Sequence, residues 1–251
     1  MSRVLLVGES WFTYSVHQKG FDSFYTSEFS RGGSEFVASL RDAGHDVTHL
    51  LAHEISTSLP STAVGLREIA DVIVVSDVGA NSFQITPSTF SRSITEPDKT
   101  EALRQFTEEG GGLLMVGGYI TFSGIDAKAR WGRTPLAEAL PVTVLDRDDR
   151  IELPAGASPQ VVGVHEITDG LERVWPRLLG LNEVKIKNGA RLLATCADQP
   201  LLVCWSYGAG SSVAFTSDIA PHWAPSEFVD WKGYGALFDG AVRWLAGAWV
   251  E

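Results

Sequence analysis

Alternation of short apolar runs with segments of helical spacing constrains the fold of this chain more than any other feature. Four runs in the first half are typical of buried parallel strands: Arg3–Val7, Asp46–Leu51, Asp71–Ser76 and Leu113–Val116. Three segments between them are predicted helices: Ser34–Ala43, a short helix ending at Leu66–Ala70, and one that runs from a cap at Thr95 or Asp98 to Glu109. Such alternation predicts a parallel sheet covered by helices on both faces.

After Trp131 the pattern changes to short strands separated by turns. A brief helix is predicted over Thr134–Leu140, and five strands follow at Val142–Leu145, Gln160–Val164, Leu192–Cys196, Leu201–Trp205 and Ser212–Phe215. The turns between them predict antiparallel hairpins, one of them with a four-residue loop that pairs Cys196 with Leu201 and Cys204 with Leu193. Apolar residues at helical spacing over Trp231–Trp249 predict a closing helix. No linker or repeat is evident, so we expect one domain over residues 1–251.

Composition limits the classes of partner. The chain has 251 residues, with 20 Lys+Arg against 31 Asp+Glu, a net charge of −11 that argues against nucleic acid and anionic membranes. Its apolar runs are far shorter than the roughly 18–20 residues of a membrane span, and Val4–Val7 is too short for a signal region. We therefore expect a cytoplasmic protein that binds neither nucleic acid nor membrane. Two cysteines make no disulfide framework, and we interpret both as small apolar strand residues.

Three segments carry a resemblance to a known family: Val4–Trp11, Gly110–Gly118 and Phe215–Trp223. In this order they resemble the class I glutamine amidotransferase-like superfamily, and within it the "putative glutamine amidotransferase" branch of bacterial proteins. The closing stretch Asp230–Gly247 is also similar to trehalose-utilisation (ThuA-type) proteins of that superfamily. The resemblance implies a flavodoxin-like, doubly wound α/β fold: a mainly parallel sheet, C-terminal antiparallel hairpins and a closing helix.

The chain departs from the family's enzymes at the position of the nucleophile. Class I amidotransferases carry a cysteine in a Gly-x-Cys-x-Gly elbow after a central strand, and a His-x-Glu near the end of the domain. The matching segment here is Val116–Ile120, with Tyr119 in place of the cysteine. A phenol with a pKa of about 10 is a poor nucleophile at neutral pH. Covalent hydrolysis of glutamine is therefore not expected.

Ligands of open parallel sheets bind beyond the carboxyl ends of the strands, where four segments of this chain should meet. Among their residues, Glu9, Asp218 and His222 form the candidate acid/base set. The glycine N–H groups at the end of the fourth strand would approach a ligand or form an oxyanion hole. The candidate ligand-binding residues are Ser10, Trp11, Asn81, Gly117, Gly118, Tyr119 and Trp223. Asp77 and Ser82 also follow the third strand.

Each of these residues has a structural alternative. Glu9 could cap the following loop or pair with an arginine, and Asp218 could bond the backbone of its own turn. Asn81 could form an Asx-turn. Tyr119 could serve in packing, and Trp223 could fill the core or an interface rather than stack on a sugar.

Three further patterns have less specific interpretations. The segment Trp11–Arg31 is interpreted as a loop rich in aromatic residues, acting as a lid over the site, as a subunit contact, or in plain packing. The charged run Asp146–Arg150 is interpreted as a solvated turn. His45, His49 and His53 recur every fourth residue, but on a strand the first two would stand roughly 13 Å apart. We expect no metal site.

Two functions remain open at this stage. One is a protein that binds a small polar metabolite, or serves as a scaffold, after loss of the thiol. The other is a non-covalent acid/base enzyme that acts on a carbohydrate-like metabolite, where the carbohydrate rests on the ThuA resemblance alone. No phosphate loop or dinucleotide fingerprint is present, so no cofactor is expected. A homo-oligomer is an open alternative.

Overall fold

A computed structural model describes residues 1–247, so residues 248 and 249 of the predicted closing helix lie outside it. Within these residues the helices are α1 (Ser34–Asp42), α2 (Ile55–Ser58), α3 (Ala63–Ile69), α4 (Asn81–Gln84), α5 (Pro87–Arg92), α6 (Lys99–Glu108), α7 (Ser226–Val229) and α8 (Lys232–Leu245). The strands are β1 (Arg3–Gly8), β2 (Ser10–Lys19), β3 (Asp22–Arg31), β4 (Asp46–Leu51), β5 (Val72–Ser76), β6 (Gly112–Val116), β7 (Val142–Val144), β8 (Arg150–Ala157), β9 (Gln160–Val161), β10 (Leu178–Asn182), β11 (Val184–Ile186), β12 (Arg191–Cys196), β13 (Gln199–Tyr207) and β14 (Gly210–Phe215).

The central sheet has eight strands in the order β4-β1-β5-β6-β14-β13-β12-β9. The first five are parallel to one another, and the last three continue the sheet as antiparallel strands. This is the strand order of flavodoxin-like sheets, in which the chain winds outward from β1 in both directions. The predicted fold class is therefore confirmed, including the antiparallel hairpins and the closing helix.

Side chains on the two faces of the sheet enter separate apolar layers. Val4 and Leu6 of β1 pack into one layer with α1 and α8, where Phe36 meets Phe238 edge to face at 5.1 Å. Leu5 and Val7 point into the opposite layer, which α3 and α6 cover. This alternation follows from the strand period of two and holds the carboxyl ends of the parallel strands at one rigid edge.

The segment Trp11–Arg31, interpreted as a loop, is instead a long antiparallel hairpin. Strands β2 and β3 pair in unbroken register from Ser10 with Arg31 to Lys19 with Asp22, around the turn at Gly20 and Phe21. Most side chains of the hairpin are exposed on both faces, so no buried apolar run marks the two strands in the sequence. The alternation of Phe12, Tyr14 and Val16 is the local pattern that supports the hairpin.

The hairpin of the two cysteines has a tighter turn than predicted. Cys196 pairs with Gln199, and Cys204 pairs with Arg191. Ala197 and Asp198 form a two-residue loop in which both residues have positive φ, as a type I′ turn requires. The predicted four-residue loop was therefore wrong, and the predicted partners of both cysteines were wrong with it.

Strands β8, β10 and β11 were not predicted. They form two small antiparallel pairs, β8 with β10 and β7 with β11, outside the central sheet. Within residues 1–247, no helix combines the length and apolar character that crossing a membrane requires.

Candidate functional site

The carboxyl ends of β1 and β5 meet where the winding of the sheet reverses, because β1 lies between β4 and β5. Such a switch point is the place where doubly wound folds bind their ligands. The residue that follows each strand carries a carboxylate, Glu9 after β1 and Asp77 after β5. Both have left-handed backbone conformations, with φ of 46° and 39°. Strain of this kind on residues other than glycine concentrates at functional sites.

Glu9 is buried at this switch point, with 2% of its surface exposed. The Ser76 hydroxyl donates to Oε1 of Glu9 at 2.5 Å. A Cβ on residue 32 would lie 2.6 Å from Oε2 of Glu9, so the glycine at this position makes room for the carboxyl group. Burial raises the pKa of Glu9 well above its ordinary value, and the charges of Asp218 and Asp77 raise it further. The carboxyl group therefore keeps its proton to higher pH than an ordinary surface glutamate does.

Asp77 fastens the segment after β6 to the same place. Its Oδ1 accepts from the Ile120 N–H at 2.9 Å, and a Cβ on Gly118 would stand 2.8 Å from that oxygen. Burial and the Asp218 charge raise the pKa of Asp77, while the backbone N–H groups of Tyr119 and Ile120 counteract part of this effect. The elbow segment can thus run this close only because glycine stands at 118.

Asp218 and His222 come from the loop after β14. Asp218 is buried, and its Oδ1 accepts from the Ala220 N–H at 3.0 Å, which is the turn contact that we had set as its structural alternative. Its Oδ2 lies 3.7 Å from Nδ1 of the half-exposed His222. The neighbouring Asp218 carboxylate raises the pKa of His222 against the opposing effect of burial. The imidazole at the mouth of this group of buried carboxylates therefore stays cationic to higher pH than a free histidine.

Two aromatic rings lie beside His222. The Tyr119 ring stacks on the imidazole at 5.1 Å and 14°, and the Trp11 ring lies 6.3 Å away. Trp223 meets Tyr119 edge to face, is itself buried, and donates from Nε1 to Glu152 at 3.1 Å. The Arg150 guanidinium covers the Tyr119 ring at 5.0 Å. Trp11, Tyr119 and His222 thus form an aromatic wall beside the carboxylates.

The elbow glycines do not present the free donors that we expected. The Gly117 N–H donates to the Phe215 carbonyl at 2.7 Å, and the Gly118 N–H donates to Oδ1 of Asn182 at 3.0 Å. A Cβ at position 117 would lie 2.2 Å from the Thr216 carbonyl oxygen, so glycine is needed there for packing. An oxyanion hole made from these two N–H groups is therefore wrong, because the sheet and Asn182 already use them.

Two other predicted residues lie outside the carboxylate group. The Ser10 hydroxyl is buried and accepts from the Ala52 N–H at 2.8 Å, a contact that holds β2 against the turn after β4. Asn81 begins α4 and lines a separate cleft of about 630 Å³. Neither residue contacts Glu9, Asp218 or His222 through a hydrogen bond in the described part of the chain.

Several residues of the site were missed from the sequence. Asp77 was noted only as a residue after a strand, although the same position after β1 had singled out Glu9. Asn182 and Asp149 support the elbow: Nδ2 of Asn182 donates to Asp149 at 2.8 Å, while its Oδ1 accepts from Gly118. Asp149 also accepts from the N–H groups of Ser123 and Gly124. The interpretation of residues 146–150 as a solvated turn is wrong for Asp149, which is 1% exposed.

The three histidines at four-residue spacing have separate surroundings. His45 contacts Asp239, His49 accepts from Arg31 and lies 2.9 Å from the Gly8 carbonyl, and His53 packs against Phe12 and Phe29. In residues 1–247 no cluster of three His, Cys, Asp or Glu side chains has the geometry to hold a metal ion.

Comparison with known proteins identifies the family. A family model described as "Putative glutamine amidotransferase" matches residues 3–247. The chain belongs to this glutamine amidotransferase-like family. It is similar to a cytoplasmic protein of Salmonella typhimurium, with 37% identity, coverage of 97% of this chain and 98% of that one, and a TM-score of 0.93. A second cytoplasmic protein, from Salmonella typhimurium LT2, is 40% identical over 96% and 98% of the two chains, with a TM-score of 0.92.

A more distant neighbour shares the fold alone. A ThuA-like protein of Parabacteroides merdae is 11% identical over 98% of this chain and 90% of that one, with a TM-score of 0.60. The resemblance to the glutamine amidotransferase-like family, stated from the sequence, is thereby confirmed, and the likeness to ThuA-type proteins is confirmed at the level of the fold. No curated protein sequence matches the chain.

Proposed function

We propose that this glutamine amidotransferase-like protein binds a small polar metabolite at the carboxyl ends of β1, β5, β6 and β14, and that it does not hydrolyse glutamine. One observation carries the proposal: Tyr119 stands at the position of the family's nucleophile, and its ring lies flat on His222. The side chain that would attack a substrate is replaced by one that makes a binding surface with its neighbour.

The chemistry of the site favours a ligand with hydroxyl groups. Carboxylates accept hydrogen bonds from hydroxyls, and an aromatic wall offers a flat apolar surface for the C–H face of a sugar ring. Asp218 and His222 supply the polar contacts, and Tyr119 and Trp11 supply the surface. A carbohydrate-like metabolite matches both features.

Neither cysteine of the chain supports a covalent glutaminase. Cys204 lies on β13, and its Sγ is 3.5 Å from Nε2 of His165. The carboxylates of the candidate site follow other strands, β1, β5 and β14. Burial raises the pKa of Cys204 to about 11 and lowers that of His165, so the pair stays neutral at physiological pH. Cys196 is also buried, with its pKa raised to about 11. A neutral, buried thiol is a poor nucleophile.

Ammonia release from L-glutamine tests the first part of the proposal. We expect the purified protein to release no more ammonia than the double variant Cys196→Ser, Cys204→Ser. Release by the wild-type protein that disappears in Cys204→Ser, while the melting temperature is kept, would show that the chain is a glutaminase.

A thermal-shift and calorimetric screen with neutral sugars, sugar phosphates and amino acids tests the second part. Ligand binding to the folded state raises the melting temperature by mass action. We expect the shift produced by a sugar to disappear in His222→Ala and in Tyr119→Ala. His17→Ala is the matched control, because His17 is an exposed histidine that contacts Thr26 and Phe24 on the hairpin. Sugar binding that is unchanged in both site variants would show that the sugar binds at another place on the protein.

An acid/base enzyme is the second candidate, favoured by the grouping of titratable side chains at one place. Burial raises the pKa of Glu9, and Asp218 raises that of His222, so both groups hold a proton to higher pH than usual, which suits a general acid. The Asp218 carboxylate beside His222 is the neighbouring candidate base. Turnover of a bound sugar, followed by NMR, that is lost in Glu9→Gln while binding persists would support this candidate over a binding protein.

Location and assembly complete the proposal. The two Salmonella relatives are described as cytoplasmic, and we extend this location to the present chain. We also propose that the β2–β3 hairpin joins two copies of the chain, because its aromatic face is exposed and its outer strand edges have no partner among the described residues.

A further inference from the structure

A second candidate site lies in the cleft that Asn81 lines. The cleft has a volume of about 630 Å³, within the range of roughly 300–1,000 Å³ of small-molecule sites. Its walls come from α4, from the segment between β6 and β7, and from the end of β7. The lining residues that matter here are Asn81, Ser123, Lys128, Arg130, Arg133 and Asp146.

Cations dominate this cleft although the whole chain carries a net charge of −11. Lys128, Arg130 and Arg133 face it, against the single carboxylate of Asp146. Lys128 already pairs with Asp126 at 2.8 Å. The guanidinium groups of Arg130 and Arg133 have no ion pair and no side-chain hydrogen bond with any described residue. Two guanidinium groups at one cleft, each with a planar set of N–H donors, are suited to bind the oxygens of a phosphate group.

The backbone that carries these cations is strained. Phe122, Asp126, Ala127 and Arg130 all have left-handed conformations, with φ of 52°, 51°, 55° and 62°. Each such residue lowers the stability of the fold, and residues of this kind cluster at ligand clamps. Four of them within nine residues are therefore retained against a substantial energetic cost.

Buried contacts hold the strained segment in one conformation. Asp149 accepts from the N–H groups of Ser123 and Gly124, both at 2.8 Å. At the other end, Trp131 is buried and donates from Nε1 to the Val78 carbonyl at 2.9 Å. The buried Ala129 lies between Lys128 and Arg130, so buried and basic residues alternate. This alternation presents the cations from a rigid support.

We propose that the cleft binds the phosphate group of a small metabolite through Arg130 and Arg133, with Asn81 and Ser123 on its walls. The volume leaves room for the rest of a phosphorylated molecule. This site is separate from the group of Glu9, Asp77, Asp218 and His222, and it does not depend on the function proposed there.

The test is titration with inorganic phosphate at constant ionic strength, followed by isothermal calorimetry and ³¹P NMR line width. Arg130→Gly removes one cation and relieves the left-handed strain, so this variant should fold at least as well as the wild type. Arg133→Gln removes the other cation. We expect each substitution to weaken phosphate binding about tenfold or more, as the loss of a charge-assisted hydrogen bond implies. Arg92→Gln is the control, since Arg92 is an exposed arginine that contacts Ser88 on α5.

Three results would overturn the proposal. The first is a wild-type protein that does not respond to phosphate. The second is equal binding by the wild type, Arg130→Gly and Arg133→Gln. The third is a response to citrate without one to phosphate, which would assign the cleft to carboxylates. Unchanged phosphate binding in His222→Ala is expected, and its loss there would place the anion at the other site.

Discussion

At the scale of single residues, the protonation of Glu9 is the property most open to measurement. Burial and two neighbouring carboxylates raise its pKa in the folded state above the ordinary value of 4.5. Above that value the unfolded chain has lost a proton that the folded chain still holds, so this residue makes stability fall as pH rises. Each unit of difference between the two pKa values corresponds to about 1.4 kcal/mol.

Glu9→Gln should remove this loss of stability with rising pH. The amide keeps the size of the side chain and an oxygen that can accept from Ser76. We expect the free energy of unfolding of the variant, relative to wild type, to increase as pH rises from about 4.5 through neutrality. Urea denaturation at a series of pH values measures this difference.

Glu101→Gln is the matched control with the opposite sign. Hydrogen bonding to Arg104 lowers the pKa of Glu101, so its contribution is present above the unfolded-state value and is lost as pH falls. The relative stability of that variant should therefore decrease as pH rises toward about 4.5, the unfolded-state value, and stay level above it. A Glu9→Gln difference that is independent of pH would mean that Glu9 is ionised in the folded state.

Sequence reasoning reached part of this residue-level picture. The rule that ligands bind beyond strand ends selected Glu9, Asp218 and His222, and the structure places these three side chains at one edge of the sheet. It noted Asp77 only as a residue after the third strand and left it out of the acid/base set, although the structure places it close enough for the charges of Asp218 and His222 to act on it. The bonds that occupy the Gly117 and Gly118 N–H groups depend on Asn182 and Phe215, distant in sequence, and no local pattern reveals them.

At the scale of elements, Asp149 joins three parts of the fold that the sequence keeps apart. It precedes β8, and its buried carboxylate accepts from the backbone after β6 and from Asn182 at the end of β10. Strands β1, β5 and β6 were predictable because each is a run of apolar residues, and β4 because apolar residues resume after the helix stop at Gly44. Strand β8 was missed because polar and exposed residues interrupt it, and β10 because Gly180 divides its short apolar run.

Asp149→Asn should destabilise the protein by about 1–3 kcal/mol. The amide cannot accept from three donors, so at least one buried N–H group loses its partner. We expect faster hydrogen exchange at the Ser123 and Gly124 amides, measured by NMR, together with a lower denaturation midpoint. The exposed Asp146→Asn should change neither. If Asp149→Asn left both amides as protected as in the wild type, the anchoring role of Asp149 would be contradicted.

At the scale of the whole molecule, the hairpin of β2 and β3 stands out because its aromatic side chains are exposed to solvent in a single copy of the chain. One of its faces carries Phe12, Tyr14 and Val16 on β2 and Tyr25 and Phe29 on β3. The base of this face packs on His53 of the same chain through Phe12 and Phe29. Farther out the face is bare, with Tyr14 77% and Tyr25 75% exposed.

A second copy of the chain is the occupant that these features favour. The hairpin has two basic and two acidic residues, Lys19 and Arg31 against Asp22 and Glu28, so it is neutral while the whole chain is strongly negative. Two such hairpins can therefore pair without the electrostatic repulsion that opposes contact between the negatively charged remainders of two chains. An isolated two-stranded hairpin is marginally stable in water, and pairing across a twofold axis would bury both aromatic faces.

We therefore expect the wild-type protein to be a dimer in light scattering, and the variant Tyr14→Lys, Val16→Lys to be a monomer. The matched control is Thr13→Lys, Ser15→Lys, which adds the same charge to the same strand. Since successive side chains alternate between faces, it leaves the aromatic face intact. This control should remain a dimer, which separates loss of apolar contact from an effect of charge. A wild-type monomer at every concentration, or equal dissociation of both double variants, would rule out this face as the contact. Because Trp11 joins the base of the hairpin to His222, a dimer formed here would also restrain one wall of the candidate ligand site.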